Sequence, residues 1–548
     1  MANRLEGGAG NDSLDGGAGI DTALFSGARA AYSITRDPGV GFTVSALSGA
    51  DGLDFVRNVE LLGFSDSITL LVSPTTDAGI VDHFNPYHYL DSNPDLLAFY
   101  GADATAATLH FLTWGWAEGR SPAAFNAFWY LASNPDLLAV YGPNPLPAIE
   151  HYARWGAAEG RPTAGFDAFE YLASNPDVLA AFGASAAGAI EHYVRWGAAE
   201  GRATSSFDAF EYLASNPDVL AVFGASAAGG VEHYVRWGVA EGRATTSFDA
   251  FLYLASNADL LTVFGANAGA AVDHYVRWGF GETRPTSGFD ALRYVAGNPD
   301  LIPFFGSNAA AAVDHYVHWG AAEGRSSTGF DALRYIASYT DLMNSLGADA
   351  NAGELSFIQG GAAQGRSTSF DAQAYLNSSP DLLAYYGADL DGAAAHYINW
   401  GRFEGRAATF TGDGAANSLY GQAGPDTLYG LTGNDTLAGG AGADQFVFNS
   451  ALNAVTNLDR VMDFTPGVDK LVLDDAIFGA LAGGNLADKL VAGANPAPVD
   501  ADDFVLYDTV TGQMSYDPDG NAPGGAGATA FAIVLSHWPL SAADFAII

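Results

Sequence analysis

The sequence predicts a mainly α chain with β ends: an α-solenoid of eight repeats of about 41 residues, flanked by N- and C-terminal parallel β-roll modules. Three observations predict it. Two glycine-rich nonamers stand in tandem at the start, a 41-residue period runs through the middle, and four related nonamers stand near the end. A hydrophobic fraction of 49% supports packed cores in all three regions, taken as residues 1–80, 84–409 and 410–548.

At the start, Gly7-Gly8-Ala9-Gly10-Asn11-Asp12-Ser13-Leu14-Asp15 runs straight into Gly16-Gly17-Ala18-Gly19-Ile20-Asp21-Thr22-Ala23-Leu24. The glycines allow tight turns that turn backbone carbonyls outward. The acid at the sixth position adds a hard, charged oxygen, and the apolar residue at the eighth begins a short inward-facing strand. Many oxygen ligands in a flexible loop suit Ca²⁺, so Asp12, Asp21 and the loop glycines Gly8, Gly10, Gly17 and Gly19 are candidate metal-site residues. Alternating segments follow at 32–36 and 41–45, with Asp37-Pro38-Gly39 as the turn between them, and short strands are expected near 59–62 and 68–71. These make a small β module built on a single roll coil.

The central copies begin at Phe84, Phe125, Phe166, Phe207, Phe248, Phe289, Phe330 and Phe370. In the third, Asp167 is placed to cap a short helix through Ala173. Asn175-Pro176-Asp177 opens a second, with Asn as cap, Pro at the first helical position and Asp at the positive helix end. Val178, Leu179 and Phe182 form its apolar face and Gly183 stops it. A longer helix is expected from Ala186 to Glu200, ended by Gly201. The recurring Glu-Gly-Arg, as in Glu200-Gly201-Arg202, reads as a helix stop followed by an arginine that pairs across the repeat junction. One such unit cannot bury its own apolar face, but eight in series can.

The last region carries nonamers from Gly412, Gly421, Gly430 and Gly439, which put Asn417, Asp426, Asp435 and Asp444 at the sixth position. Two nonamers make one coil, so this roll has two coils, with Asp426 and Asp444 on one edge and Asn417 and Asp435 on the other. A calcium ion between successive loops would take carboxylates and the carbonyls near Gly424, Gly433 and Gly442. Pro425, Leu431 and the neutral Asn417 depart from the pattern and weaken the first coil.

Both ends resemble the RTX proteins, and the C-terminal region is similar to the serralysin-type C-terminal domain. The matching residues are the nonamers, then 443–448, 459–464, 473–478 and 516–521, and finally Asp544 followed by the apolar tail 545–548. The resemblance implies an uncleaved C-terminal signal, passage through the type I secretion machinery of a Gram-negative bacterium and folding on external calcium. Closely spaced carboxylates repel one another until a cation binds, so binding energy becomes folding energy.

The formal net charge is −40, which repels nucleic acid and anionic membrane surfaces and attracts divalent cations. The chain contains no cysteine, so it has no disulfide and no thiol chemistry. No stretch is long and apolar enough to enter a bilayer, and residues 1–8 form no signal-peptide core. Among catalytic motifs, H-E-x-x-H, G-x-S-x-G and the P-loop are missing. The repeated His110, His151, His192, His233, His274, His315 and His396, each with Trp four residues on, read as structural, because one His per repeat cannot assemble a metal site. Copy seven carries Ser356 and Gly360 instead. The expectation is a non-enzymatic secreted subunit of a surface or matrix filament, sheet or S-layer, assembled head-to-tail through its roll ends, or else an adhesin whose solenoid face binds a glycan or a partner protein.

Overall fold

A computed structural model describes residues 2–37, 40–49, 51–72, 80–484, 486–522 and 527–548. Pro38 and Gly39 of the expected turn lie outside them. The chain forms two compact units, Met1–Phe248 and Asp249–Ile548, divided at the start of the fifth repeat.

In the first unit, β1 (Arg4–Glu6), β2 (Ser13–Asp15) and β3 (Thr22–Leu24) are the strands of the tandem nonamers. Strands β1 and β3 pair in parallel with Leu5 opposite Ala23, the 18-residue step of one coil. The expected single coil is too short, however. The chain leaves through the antiparallel pair β4 (Tyr32–Asp37) and β5 (Gly41–Ala46), then returns as β6 (Leu53–Arg57) and β7 (Leu61–Gly63). Strand β6 pairs in parallel with β2, and β7 with β3, so the roll grows beyond the nonamers. The alternating pattern explains the return: Leu14, Ala23, Val56 and Leu62 all point into one core. The meander β8 (Ile68–Leu71) and β9 (Ile80–Val81) then leads into the first repeat, where Leu70 is buried with Phe84 and Tyr89.

Each repeat is three short helices, seen in the third copy at Ala168–Ser174, Pro176–Phe182 and Ala186–His192. Asp167 caps the first by accepting from the amides of Phe169 (3.0 Å) and Glu170 (2.9 Å). Asn175 stands at the cap position of the second, but its side chain does not cap. Its amide donates instead to the carbonyls of Tyr171 and Ala203, both at 2.7 Å, and so pins the end of the repeat to its first helix. The expected long third helix is α-helical only to His192, and Tyr193–Gly197 is a π-helical turn. Within that turn Gly197 packs on the hydroxyl of Tyr171, leaving no room for a Cβ. Gly201 closes the helix at φ 68°. Arg202 pairs with Asp177 (2.8 Å) and Glu200 (2.6 Å) of its own repeat, not across the junction. Contacts across the junction come from Ser174, whose hydroxyl accepts from Phe207 of the next repeat, and from Arg195, which lies over the ring of Phe128. Within each unit the first helix of a repeat packs on the third helix of the next.

In the second unit the last repeat turns directly into the C-terminal roll. Strand β10 (Thr409–Thr411) bridges back to Phe370 and leads into β11 (Ser418–Tyr420), β12 (Thr427–Tyr429) and β13 (Thr436–Ala438). The stack continues through β14 (Gln445–Phe448), β15 (Asp459–Val461) and β16 (Lys470–Leu473), beyond the two coils expected. The later strands are β17 (Leu490–Gly493), β18 (Val505–Asp508), β19 (Gln513–Tyr516), β20 (Thr529–Val534) and β21 (Phe545–Ile547). They complete sheets ordered β10-β12-β14-β16-β21 and β11-β13-β15-β20-β19-β18-β17. The apolar tail is thus an edge strand, parallel to β16.

Candidate metal centre

The roll registers set the chemistry. Thr427 lies opposite Gln445 and Ser418 opposite Thr436, so sixth-position residues stack one coil apart. On one edge the amide of Ala408 donates to Asp426 Oδ1 (2.8 Å), that of Asp426 to Asp444 Oδ1 (2.8 Å) and that of Asp444 to Asp469 Oδ1 (2.9 Å). On the other, Asn417 donates to Asp435 Oδ1 (2.7 Å) and Asp435 to Asp459 Oδ1 (3.0 Å). One oxygen of each acid thereby knits adjacent coils. The second oxygens of Asp435 and Asp444, like those of Asp12 and Asp21, are buried with no protein partner. An orphaned carboxylate oxygen inside a fold costs several kcal/mol or a proton, unless a cation meets it.

The surroundings fit a hard cation. The outer oxygens of Asp435 and Asp459 lie 2.6 and 3.1 Å from where a Cβ on Gly430 would stand. Gly433 and Gly442 press against the carbonyls of Ala415 and Gly424, and Gly424 against those of Gly405 and Arg406. Among the described residues no three acidic or histidine side chains converge on one point, so each site would combine paired carboxylates with backbone carbonyls, the donor set Ca²⁺ accepts. Burial raises Asp426 and Asp459 to about 7, and Asp435 and Asp444 to about 6. These acids resist ionising alone, and a bound cation would supply the missing charge.

The candidate residues divide accordingly. Asp426 and Asp444 share one edge and Asp435 faces the other, as expected. Asn417 is committed elsewhere: its Oδ1 accepts from Asp413 (2.7 Å) and its amide donates to Asp413 Oδ1 (3.2 Å). Leu431 is held at φ 69°, in the left-handed region its glycine counterparts adopt freely. Gly8, Gly10, Gly17 and Gly19 occupy positive φ in the N-terminal loops, where Asp21 Oδ1 accepts from Asn3 (2.5 Å). Asp459 and Asp469 were missed because no tandem glycine nonamer precedes them, only the lone Gly467 before Asp469. The readable signal is an acid two residues before an inward apolar one, as in Asp459-Arg460-Val461 and Asp469-Lys470-Leu471.

The repeated histidines have partners of their own. His192 Nδ1 shares a 2.8 Å hydrogen bond with the buried Tyr171 hydroxyl, and the same pair recurs as Tyr130–His151 and Tyr375–His396. Each histidine also lies between an aromatic of the second helix and the tryptophan, with the rings edge-on or tilted, Phe182 and Trp196 being 5.5 and 5.8 Å from His192. Phe182, expected in the apolar face, lies at its rim and is 39% exposed.

The RTX calcium-binding nonapeptide repeat family, in four copies, matches residues 2–23 and 411–446. No curated protein matches the chain. Among solved structures, the AlgE6R3 subunit from the Azotobacter vinelandii mannuronan C5-epimerase is similar at 27% identity over 25% of this chain and 72% of that subunit, with a TM-score of 0.17. The loops that gather buried carboxylates and carbonyls at both ends of this chain are RTX calcium-binding repeats, and Ca²⁺ is their cofactor.

Proposed function

We propose that this calcium-dependent secreted protein is a non-catalytic structural subunit that self-assembles at the cell surface or in the matrix, as a filament, sheet or S-layer. Export by type I secretion accords with this, because the roll closes only where calcium is abundant. The observation that carries the reading is the first coil of the N-terminal roll. Strands β1 and β2 each end their sheets and pair on one side only. An open parallel edge is a template for another chain. At the other end β21 closes one sheet of the C-terminal roll as an edge strand. Pairing β1 of one copy with β21 of the next would continue the coil, and a heterologous contact of this kind propagates instead of closing. Chains of net charge −40 repel each other, so calcium at the ends would also screen the contact. Electron microscopy of the purified chain in millimolar calcium, repeated after chelation, tests this. Ordered polymers that dissolve on chelation are expected, and monomers at every concentration would refute it.

A second reading, an adhesin for a surface glycan, is favoured by one observation. The tryptophans Trp114, Trp155, Trp196 and Trp237 of the first unit and Trp278, Trp319 and Trp400 of the second are all 49–56% exposed. Each presents a flat apolar face of the kind on which a neutral sugar ring stacks.

A further inference from the structure

Two acids of the N-terminal module, the buried Asp54 and the half-buried Glu60, lie outside every matched repeat. Asp54 is 2% exposed and its Oδ1 accepts from the Asp12 amide at 2.8 Å. Glu60 Oε2 accepts from the Asp21 amide at 2.9 Å. These bonds copy the coil-to-coil acid ladder of the C-terminal roll. The sequence around Asp54 explains the match: Gly49-Ala50-Asp51-Gly52-Leu53-Asp54-Phe55-Val56-Arg57 carries glycine at the first and fourth positions, acid at the sixth and an apolar residue at the eighth. It is a degenerate nonamer, separated from the tandem pair by the β4–β5 hairpin. Gly52 has φ 76°, positive like its fourth-position counterparts Gly10 and Gly19. Gly52 packs on the Gly10 carbonyl, and the Leu53 amide donates to Asn11 Oδ1 at 2.8 Å. Before Glu60, Asn58 takes the glycine role at φ 49°, and its carbonyl packs on Gly16 beside Asp21 Oδ2.

We infer that residues 49–60 complete the N-terminal roll as a calcium-binding half, giving one site between Asp12 and Asp54 and a second between Asp21 and Glu60. The second oxygens of Asp12 and Asp21 are buried without a protein partner, and Asp21 is fully buried. The Asn58 carbonyl stands beside Asp21 Oδ2 at Gly16, and on each edge a carboxylate of the neighbouring coil accepts from the facing amide, as in the C-terminal roll. Ions held there would fasten the returning hairpin, and with it β7, to the tandem nonamers.

The inference rests on calcium binding by the repeats and is tested by counting ions on the full chain. Calorimetric titration with Ca²⁺ would compare the parent, Asp54→Asn/Glu60→Gln, and a control Glu6→Gln/Asp37→Asn that removes the same charge from exposed positions. The amide variants keep an oxygen able to accept from Asp12 and Asp21, so the metal-free fold persists. The site variant is expected to bind two fewer ions per chain than parent and control, and to lose the calcium-induced protection of residues 53–63 from hydrogen exchange. Asp12→Asn/Asp21→Asn, altering the same sites from the opposite coil, is expected to lose the same two ions. An ion count equal to the control in both variants would overturn this assignment alone, and a parent that binds no calcium would overturn the calcium reading with it.

Discussion

Asp91 occupies a core position that six other repeats fill with alanine, at Ala132, Ala173, Ala214, Ala255, Ala296 and Ala337. It is 5% exposed, and neither carboxylate oxygen has a partner. Burial raises its pKa to about 8. The acids of the rolls are buried and raised in the same way, but their free oxygens stand beside other carboxylates and carbonyls, where a cation supplies the missing charge. Asp91 has no such company. In the unfolded chain it ionises near pH 4, in the folded chain near 8, so the folded state holds the extra proton and stability falls as pH rises between those values. Asp91→Ala is therefore expected to stabilise the first unit by about 1–3 kcal/mol at pH 7. The gain should grow from pH 4 and level off above about 8. Thermal melts of parent and variant across that range would measure it, and equal melting temperatures at pH 8 would mean that the buried acid costs nothing.

At the scale of elements, the helical repeats were largely legible. Phe, the capping Asp and the Asn-Pro-Asp triplet mark helix starts, and Gly183 and Gly201 mark stops. The π-turn at Tyr193–Gly197 was not, because the helical spacing of Ile190, Tyr193, Val194 and Gly197 fits an ordinary α-helix equally well, and the packing of Gly197 on a tyrosine 26 residues earlier is non-local. Asn175 was misread for a similar reason, since a cap and a buried donor to two carbonyls require the same residue type. In the rolls the tandem glycine nonamers were legible, whereas coils with a degenerate loop, a lone glycine or none were not, which is why Asp54, Glu60, Asp459 and Asp469 escaped notice. The π-turn also allows a direct test. Gly197→Ala would drive a methyl group into the Tyr171 hydroxyl and break its bond to His192. Hydrogen exchange should then report lost protection in both the first and third helices of that repeat. Gly201→Ala, at φ 68° with open space around it, should cost about 1–2 kcal/mol and loosen only the helix end. Equal, local effects of the two substitutions would remove the π-turn's role in joining the helices.

For the whole molecule, the acid content poses the main energetic problem. With 62 acidic against 22 basic side chains, copies of the chain gain nothing from simple charge attraction, so the polymerisation proposed above would have to come from backbone pairing and bound cations. The open edge makes that claim specific. Thr22 donates its amide to the Asn3 carbonyl (2.9 Å) and Phe55 donates to Asp12 (2.8 Å). Because bonding alternates along a parallel strand, Asn3 just before β1 and Leu5 within it, and likewise Asp12 and Leu14 at β2, face inward. Arg4, Glu6, Ser13 and Asp15 turn their backbone groups to the open side. Arg4→Pro/Ser13→Pro would remove two outward amides without touching an inward bond, and proline is tolerated on an edge whose amide faces solvent. The variant is expected to keep the parent's calcium stoichiometry and melting temperature within about 0.5 kcal/mol of stability, yet to remain monomeric by light scattering in calcium concentrations at which the parent polymerises. Parent and variant polymers of equal length would place the subunit contact elsewhere than on this coil.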